Sequence, residues 1–325
     1  MADFVSMATS PFHLLFAEVF VLTTKSFSMS HPLKKLSPTK IWFVAMPGAL
    51  AVLWSTGFIG AKFGLPYAEP MTFLAYRFTL VSAILIVVSL LTNAPWPRSP
   101  IAYVHLIAVG LLLQAANLGC VFYAIDLGVD TSVTALINGL QPVLVAIIAV
   151  AVLGEKTSFR QWMGFVMGLG GVILVIWRKL DLGVGTPLGM SLSICALLAL
   201  SIGVIYQKKF CEEMDLRTGI FVQTAAAAIA MWIGSFWLET GIVDWTGEFI
   251  FAFIWLTFIL SLGAITLLLY LIRRGQAARV SSLFFLVPPI TAIISFFTFN
   301  ETFGPVACIG MVIAVIGVAL VNRFP

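Results

Sequence analysis

Arg77 is the residue in this 325-residue chain whose type and setting most demand a chemical explanation. It lies about two turns inside the apolar run Pro70–Leu91, roughly 10 Å from Pro70 along a helix. A cation at that depth costs about 3 kcal/mol on insertion scales, so it must face protein or a wet cavity. Its planar fork suits capture of a carboxylate or phosphate group. The competing and favoured reading is structural, because such a side chain can snorkel or tie helix-end carbonyls together. Amides recur in neighbouring runs. Gln114 and Asn117 stand three residues apart on one helix face, and Asn138 and Gln141 do the same just before Pro142. Amides bare to lipid are costly, so both pairs are expected to face the interior, either reading a polar substrate or bonding adjacent helices. Trp54, well inside its run, and Tyr270, near a run's end, are further candidates to line a substrate path; Tyr123 and Tyr206 fit an interfacial aromatic belt.

The elements that carry these residues follow from composition. The chain is 61% hydrophobic and 10% charged, with a mean hydropathy of +1.07. Soluble domains carry about 25% charged residues, so a soluble or disordered chain is excluded. Apolar runs of about 20 residues recur and predict an all-α polytopic membrane protein. Ten spans are expected: Ile41–Ala61, Pro70–Leu91, Ile101–Ile125, Thr131–Leu153 and Gln161–Trp177, then Pro187–Gln207, Gly219–Glu239, Phe249–Ile272, Val280–Phe299 and Gly304–Val321. The net charge of +4 is no nucleic-acid signal, because the basic residues lie between spans rather than on one face. The lipid bilayer is the expected surrounding.

The ten spans are two copies of one unit. Leu140, Pro142, Ala146-Ile147-Ile148, Glu155, Gly164 and Gly171-Val172 recur 146 residues later, without a gap. Their matches are Leu286, Pro288, Ala292-Ile293-Ile294, Glu301, Gly310 and Gly317-Val318. Upstream, Ser55, Gly57, Ile59 and Lys62 match Ser201, Gly203, Ile205 and Lys208 at the same offset. Five spans per copy is an odd number, so the second copy enters the membrane inverted. The basic residues agree. With the N-terminus cytoplasmic, fourteen Lys and Arg fall on the cytoplasmic side and only Lys62, Arg178 and Lys179 outside. Both termini are then cytoplasmic, Glu155 faces the cytoplasm and Glu301 faces outward. These paired glutamates are expected to cap the helices that follow. The repeat partner of Arg77 is the neutral Gln223, so the two halves of a substrate site need not be alike.

The sequence resembles the EamA domain. Trp54-Ser-Thr-Gly57, Ala75-Tyr-Arg77, and Pro142 followed by Gly154-Glu155 and Gly164 carry the likeness over about residues 41 to 322. That domain occurs twice in ten-span members of the drug/metabolite transporter superfamily. The resemblance implies two inverted five-helix repeats, 41–178 and 187–322, around a central cavity with alternating access. It implies that the fourth and ninth helices line the cavity, while the fifth and tenth pack peripherally. It names no substrate.

Pro142 and the Pro288-Pro289 pair remove backbone donors at matched places and are expected to kink their helices. Interrupted helices at matched positions point to a transporter's binding site, so these prolines are expected to shape or gate the path. Gly164, Gly168 and Gly171, echoed by Gly310 and Gly317, form a small-residue ridge suited to packing within one chain or across a homodimer. His105 is expected to be a packing residue, and the four cysteines inert. No span centre holds Asp or Glu, so proton coupling has no evident seat. No enzyme motif, cofactor motif or metal-binding set is present, since the three histidines are scattered. Residues 1–40 lie outside the repeat, and because Met29 would be a natural start, the first 28 residues are expected to be a loose tail or an over-long start, which N-terminal sequencing of native protein would decide. The expected function is export of amino acids or related small polar metabolites across an inner (plasma) membrane. A non-transporting scaffold or sensor on the same fold is the alternative.

Overall fold

A computed structural model describes residues 38–153, 158–180, 186–264, 267, 286–299 and 304–323. Chain contacts separate Met1–Trp42 from Phe43–Pro325. Of the former only residues 38–42 are described, as the start of a helix; the packing below belongs to the latter. Tyr270, Glu155 and Glu301 fall outside the described residues, as do residues 1–37 of the expected tail.

Among the described residues, helices fall in the regions expected to span. The first repeat holds α1 (Pro38–Gly64), α2 (Pro70–Leu91), α3 (Pro100–Asp126), α4 in two pieces (Thr131–Asn138 and Gln141–Leu153) and α5 (Phe159–Leu180). The second holds α6 (Pro187–Phe210), α7 (Leu216–Leu238), α8 (Gly247–Ala264), α9 (Val287–Phe299) and α10 (Pro305–Arg323). Helix starts are written in the sequence. Proline occupies the first turn of α2, α3 and α6, where its missing N–H costs nothing. Ser99, Thr186 and Thr246 accept from the backbone N–H three residues on. Among the described residues, seven stretches are long and apolar enough to cross a bilayer, lying in α1 to α4 and α6 to α8; α9 and α10 supply shorter apolar segments. The chain is a multi-pass membrane protein. Its exposed side chains fit that solvent, with Phe236, Trp237, Val166 and Phe297 all turned outward.

Packing follows the duplication. Equivalent helices meet in the pairs α2 with α7, α4 with α9 and α5 with α10, while α3 packs on α6 as α8 packs on α1. The small-residue ridge is taken up inside the chain. A Cβ on Gly171 would lie 2.6 Å from Ala314 N, and one on Gly317 would lie 2.7 Å from Gly164 O and Gly168 N. Each glycine thus meets the counterpart of what the other meets. Two further features fall into register. α3 is π-helical over Leu111–Ala116 and α8 over Trp255–Ala264; shifting the first by 146 residues places it inside the second. The π-helix is rare and concentrates at functional sites. The α2 and α7 helices each pack on the π segment of the other repeat, α2 on α8 and α7 on α3.

Candidate functional site

The α4 helix does not merely kink at Pro142. It stops at Asn138, turns through Gly139 and Leu140, and restarts at Gln141, so Pro142 sits in a new first turn and sacrifices no intrahelical donor. Pro288 and Pro289 likewise lie buried in the first turn of α9. The two helix starts meet, because a Cβ on Gly139 would lie 2.7 Å from Pro288 Cγ. From α1, the Ser55 hydroxyl lies 2.7 Å from Ala51 O and 3.2 Å from Val287 O. Away from the crossing, Thr131 Oγ1 and Ser295 Oγ lie 3.1 Å apart. Thr134 and Thr291 lie on the same two helices. Both threonines are fully buried, and neither hydroxyl has a partner.

The predicted site residues fall into distinct environments. Arg77 is 1% exposed; its Nε donates to Ser261 Oγ at 2.9 Å, and its Nη1 has no partner. Ser261 lies on the π segment of α8 and is itself buried, as is the unpartnered hydroxyl of Thr257 one turn earlier. Gln114 lies on the π segment of α3 with Oε1 unpartnered, and Gln141, at the restart of α4, has neither amide atom bonded. Asn117 and Asn138 are brought together: Asn117 Nδ2 donates to Ala196 O at 3.0 Å and lies 3.4 Å from Asn138 Oδ1, while Asn138 Nδ2 donates to Thr134 O. Gln223 Nε2 donates to Gln207 Oε1 at 2.9 Å and approaches Met214 Sδ at 3.6 Å. Trp54 is half-buried against the central apolar cluster. A shallow cavity of about 330 Å³, lined by Phe63, Gly247, Glu248 and Phe251, contains none of these residues. Buried polar atoms without partners are unusual in folded proteins, and Arg77, Gln114, Gln141 and Thr257 each hold at least one.

Sequence reasoning missed the tie at one end of α2 and α7. Glu239, just after α7, accepts four hydrogen bonds at 2.7 Å, from Met71 N, Thr72 N, the Thr72 hydroxyl and the Tyr123 hydroxyl. In return, Glu69, just before α2, accepts from Thr240 N and its hydroxyl at 2.7 Å and from Gly241 N at 3.2 Å. Each carboxylate thus caps backbone donors of the other segment, and Glu239 completes the positive N-terminal end of α2. The repeat left no sign of it, because Glu69 and its equivalent Asp215, each one residue before its helix, take different partners. Tyr123 is therefore a clasp residue rather than a simple belt residue. His105 Nδ1 lies 2.8 Å from Tyr206 Oη and its ring stacks on Phe210 at 4.6 Å, a satisfied packing position.

With the geometry in place, the chain can be set beside known proteins. The EamA-like transporter family matches residues 41–177 and again 187–323. An uncharacterised transporter of Bacillus subtilis strain 168, YvbV, is 24% identical over 286 residues, covering 84% of this chain and 89% of that protein. A probable amino-acid metabolite efflux pump of Escherichia coli K12 is 25% identical over 259 residues, covering 74% and 81%. A solved crystal structure superposes with a TM-score of 0.69 at 18% identity, over 86% of this chain and 96% of that one, a likeness of fold alone.

Proposed function

The chain belongs to the EamA-like transporter family, and from that premise we propose that it is a secondary transporter exporting amino acids or related small polar metabolites. The observation that carries this reading is the set of buried, unpartnered polar atoms on Arg77, Gln114 and Gln141, together with the break where α4 meets α9. Such atoms cost free energy until a polar solute or water meets them. Helices interrupted at corresponding places in two repeats suit a site between those repeats. The proposed machine has ten spans in two inverted repeats, 41–178 and 187–322, in an inner (plasma) membrane with both termini cytoplasmic.

Arg77, Gln114 and Gln141 would contact the solute, with Trp54 and Tyr270 beside the path. Asn117 and Asn138, here bonded to protein, would join as the path opens, while Gln223, bonded to Gln207, would stay closed in the second half. Pro142, Pro288 and Pro289 would set the angle of the two helix starts, and the Glu69–Glu239 clasp would hold one end of α2 and α7 shut. Alternating access would then open the clasp while the α4–α9 crossing shifts. The test is purified protein in liposomes loaded with a mixed metabolite pool, with effluent read by mass spectrometry. One compound class should leave faster than from protein-free liposomes. If none does, with or without a proton gradient, the transporter reading gives way to a scaffold or sensor.

A further inference from the structure

We infer that the transported solute is recognised through a single carboxylate held by Arg77, and that Ser261 is the positioning residue that aims the guanidinium. This rests on the transporter reading above. Among the described residues, Arg77 is the one buried side chain that carries a formal charge, and no carboxylate among them pairs with it. Its neighbours are Ser261 and the Phe78 ring, whose centroid lies 5.9 Å from the guanidinium carbon. A buried charge without a counter-ion is among the costliest features a folded protein can hold. The missing interaction is therefore a built-in demand for an anion.

The arithmetic of charge narrows that anion. One guanidinium is matched by one carboxylate, which leaves the ammonium of a zwitterion to be met by neutral acceptors. A phosphate group near neutral pH carries about −1.5 to −2, so it would leave uncompensated negative charge in the same place. Geometry narrows it further. The Ser261 hydroxyl, buried on the π-helical segment of α8, accepts from Nε and so fixes the plane of the guanidinium, leaving Nη1 as a donor without a partner. Charge-assisted bonds to such a donor are about twice as strong as neutral ones. Among the other unpartnered groups, Gln114 Oε1, Gln141 Oε1 and the Thr257 hydroxyl can act as neutral acceptors, suited to the N–H groups of a zwitterion. With no buried carboxylate among the described residues, a solute that is only cationic finds no matching charge.

The experiment uses the full chain, purified in detergent for thermal unfolding and reconstituted in liposomes for efflux. The probes are L-leucine, L-phenylalanine and L-threonine, their carboxamides, and inorganic phosphate. At least one amino acid should raise the Tm and leave the liposomes, while its carboxamide and phosphate do neither. Arg77→Gln should weaken that amino acid's binding by about 30-fold, and Arg77→Lys should restore part of it. Ser261→Ala should shrink the preference for carboxylate over carboxamide about tenfold, and Ser261→Thr, which keeps the hydroxyl, should restore it. A merely structural serine would change the Tm without moving that preference. Equal treatment of carboxylates and carboxamides by wild type, or unchanged binding in folded Arg77→Gln, overturns the inference. If Arg77→Gln does not fold, the wild-type preference and the Ser261 pair decide it. If solutes leave wild-type liposomes without regard to carboxylate, the inference falls and the transporter reading stands. If nothing in the full metabolite pool leaves, both fall.

Discussion

Arg77 and Gln223 occupy equivalent places 146 residues apart on α2 and α7, and the two helices pack on the π segments of opposite repeats. Both side chains are buried, yet their surroundings differ. Gln223 is closed, bonded to Gln207 and close to Met214, with its backbone against Gly110 just before the α3 π segment. Arg77 is open, with one bond to Ser261 and an Nη1 left over. An amide with its partners in place completes a fold. A guanidinium lacking an anion leaves a large favourable interaction unmade, and only something from outside the described residues can supply it. Duplication therefore fixed the position, and divergence at one side chain placed the charge in the first half alone.

Making the halves alike is the hardest test of that difference. Arg77→Gln should lower efflux of the carboxylate solute by about 30-fold, whereas Gln223→Ala should change it by less than about threefold. Adding Gln223→Arg to Arg77→Gln should not restore efflux; recovery in liposomes would show the two positions to be interchangeable. The crossing between the halves comes next. Gly139→Val pushes a branched side chain into Pro288 and should cost about 2 kcal/mol, read from chemical unfolding in detergent. Wild-type stability in that variant would mean that the α4 and α9 starts do not need to touch. A smaller change tests how closed Gln223 is. Gln207→Leu strands its amide and should cost about 1 kcal/mol with efflux retained. A new solute preference in Gln207→Leu would instead make Gln223 a second recognition point.

How much of this was legible before the structure depends on which signal each feature leaves. The span order and the duplication were legible because burial in lipid forces long apolar runs, and a constant offset survives divergence. Arg77 was legible because charge is rare in such runs. The break at Gly139 was half legible: Pro142 announced a disturbance, but the restart one residue earlier depends on Pro288 arriving against Gly139 from the other repeat. Ser261 was not legible, since a serine in an apolar helix is common and only its contact with Arg77 gives it meaning. The packing ridge was visible as Gly164, Gly168 and Gly171, but its partner was not. Only three-dimensional contact assigns it to Gly310, Ala314 and Gly317 of the same chain. The π segments left no signal that periodicity would have found.

The smallest expected effects ask whether the asymmetry extends to the ends of α2 and α7. Glu69 and Asp215 are equivalent by the repeat, as are Thr72 and Thr218. At one end, Thr72 donates to Glu239, and two carboxylates gather donors from the opposite helix. At the other, Thr218 donates to Pro95 O, and Asp215 bonds within its own segment to Arg217 Nη2 at 2.8 Å. Burial pushes the Asp215 carboxyl up, but the hydrogen bonds and charge of Arg217 outweigh it and hold it below the usual carboxylate range. That group's contribution is thus present above its unfolded value and lost as pH falls through the folded one. Asp215→Asn should cost a few tenths of a kcal/mol at neutral pH, and the gap to wild type should close in acid. Glu239→Gln weakens bonds between α7, α2 and α3, and should cost about 1 kcal/mol. It should also make cysteines introduced near Thr240 react faster with a water-soluble maleimide, because a clasp between helices governs access where a local pair does not. Equal labelling in Glu239→Gln and Asp215→Asn would leave the two ends functionally alike and confine the asymmetry to Arg77.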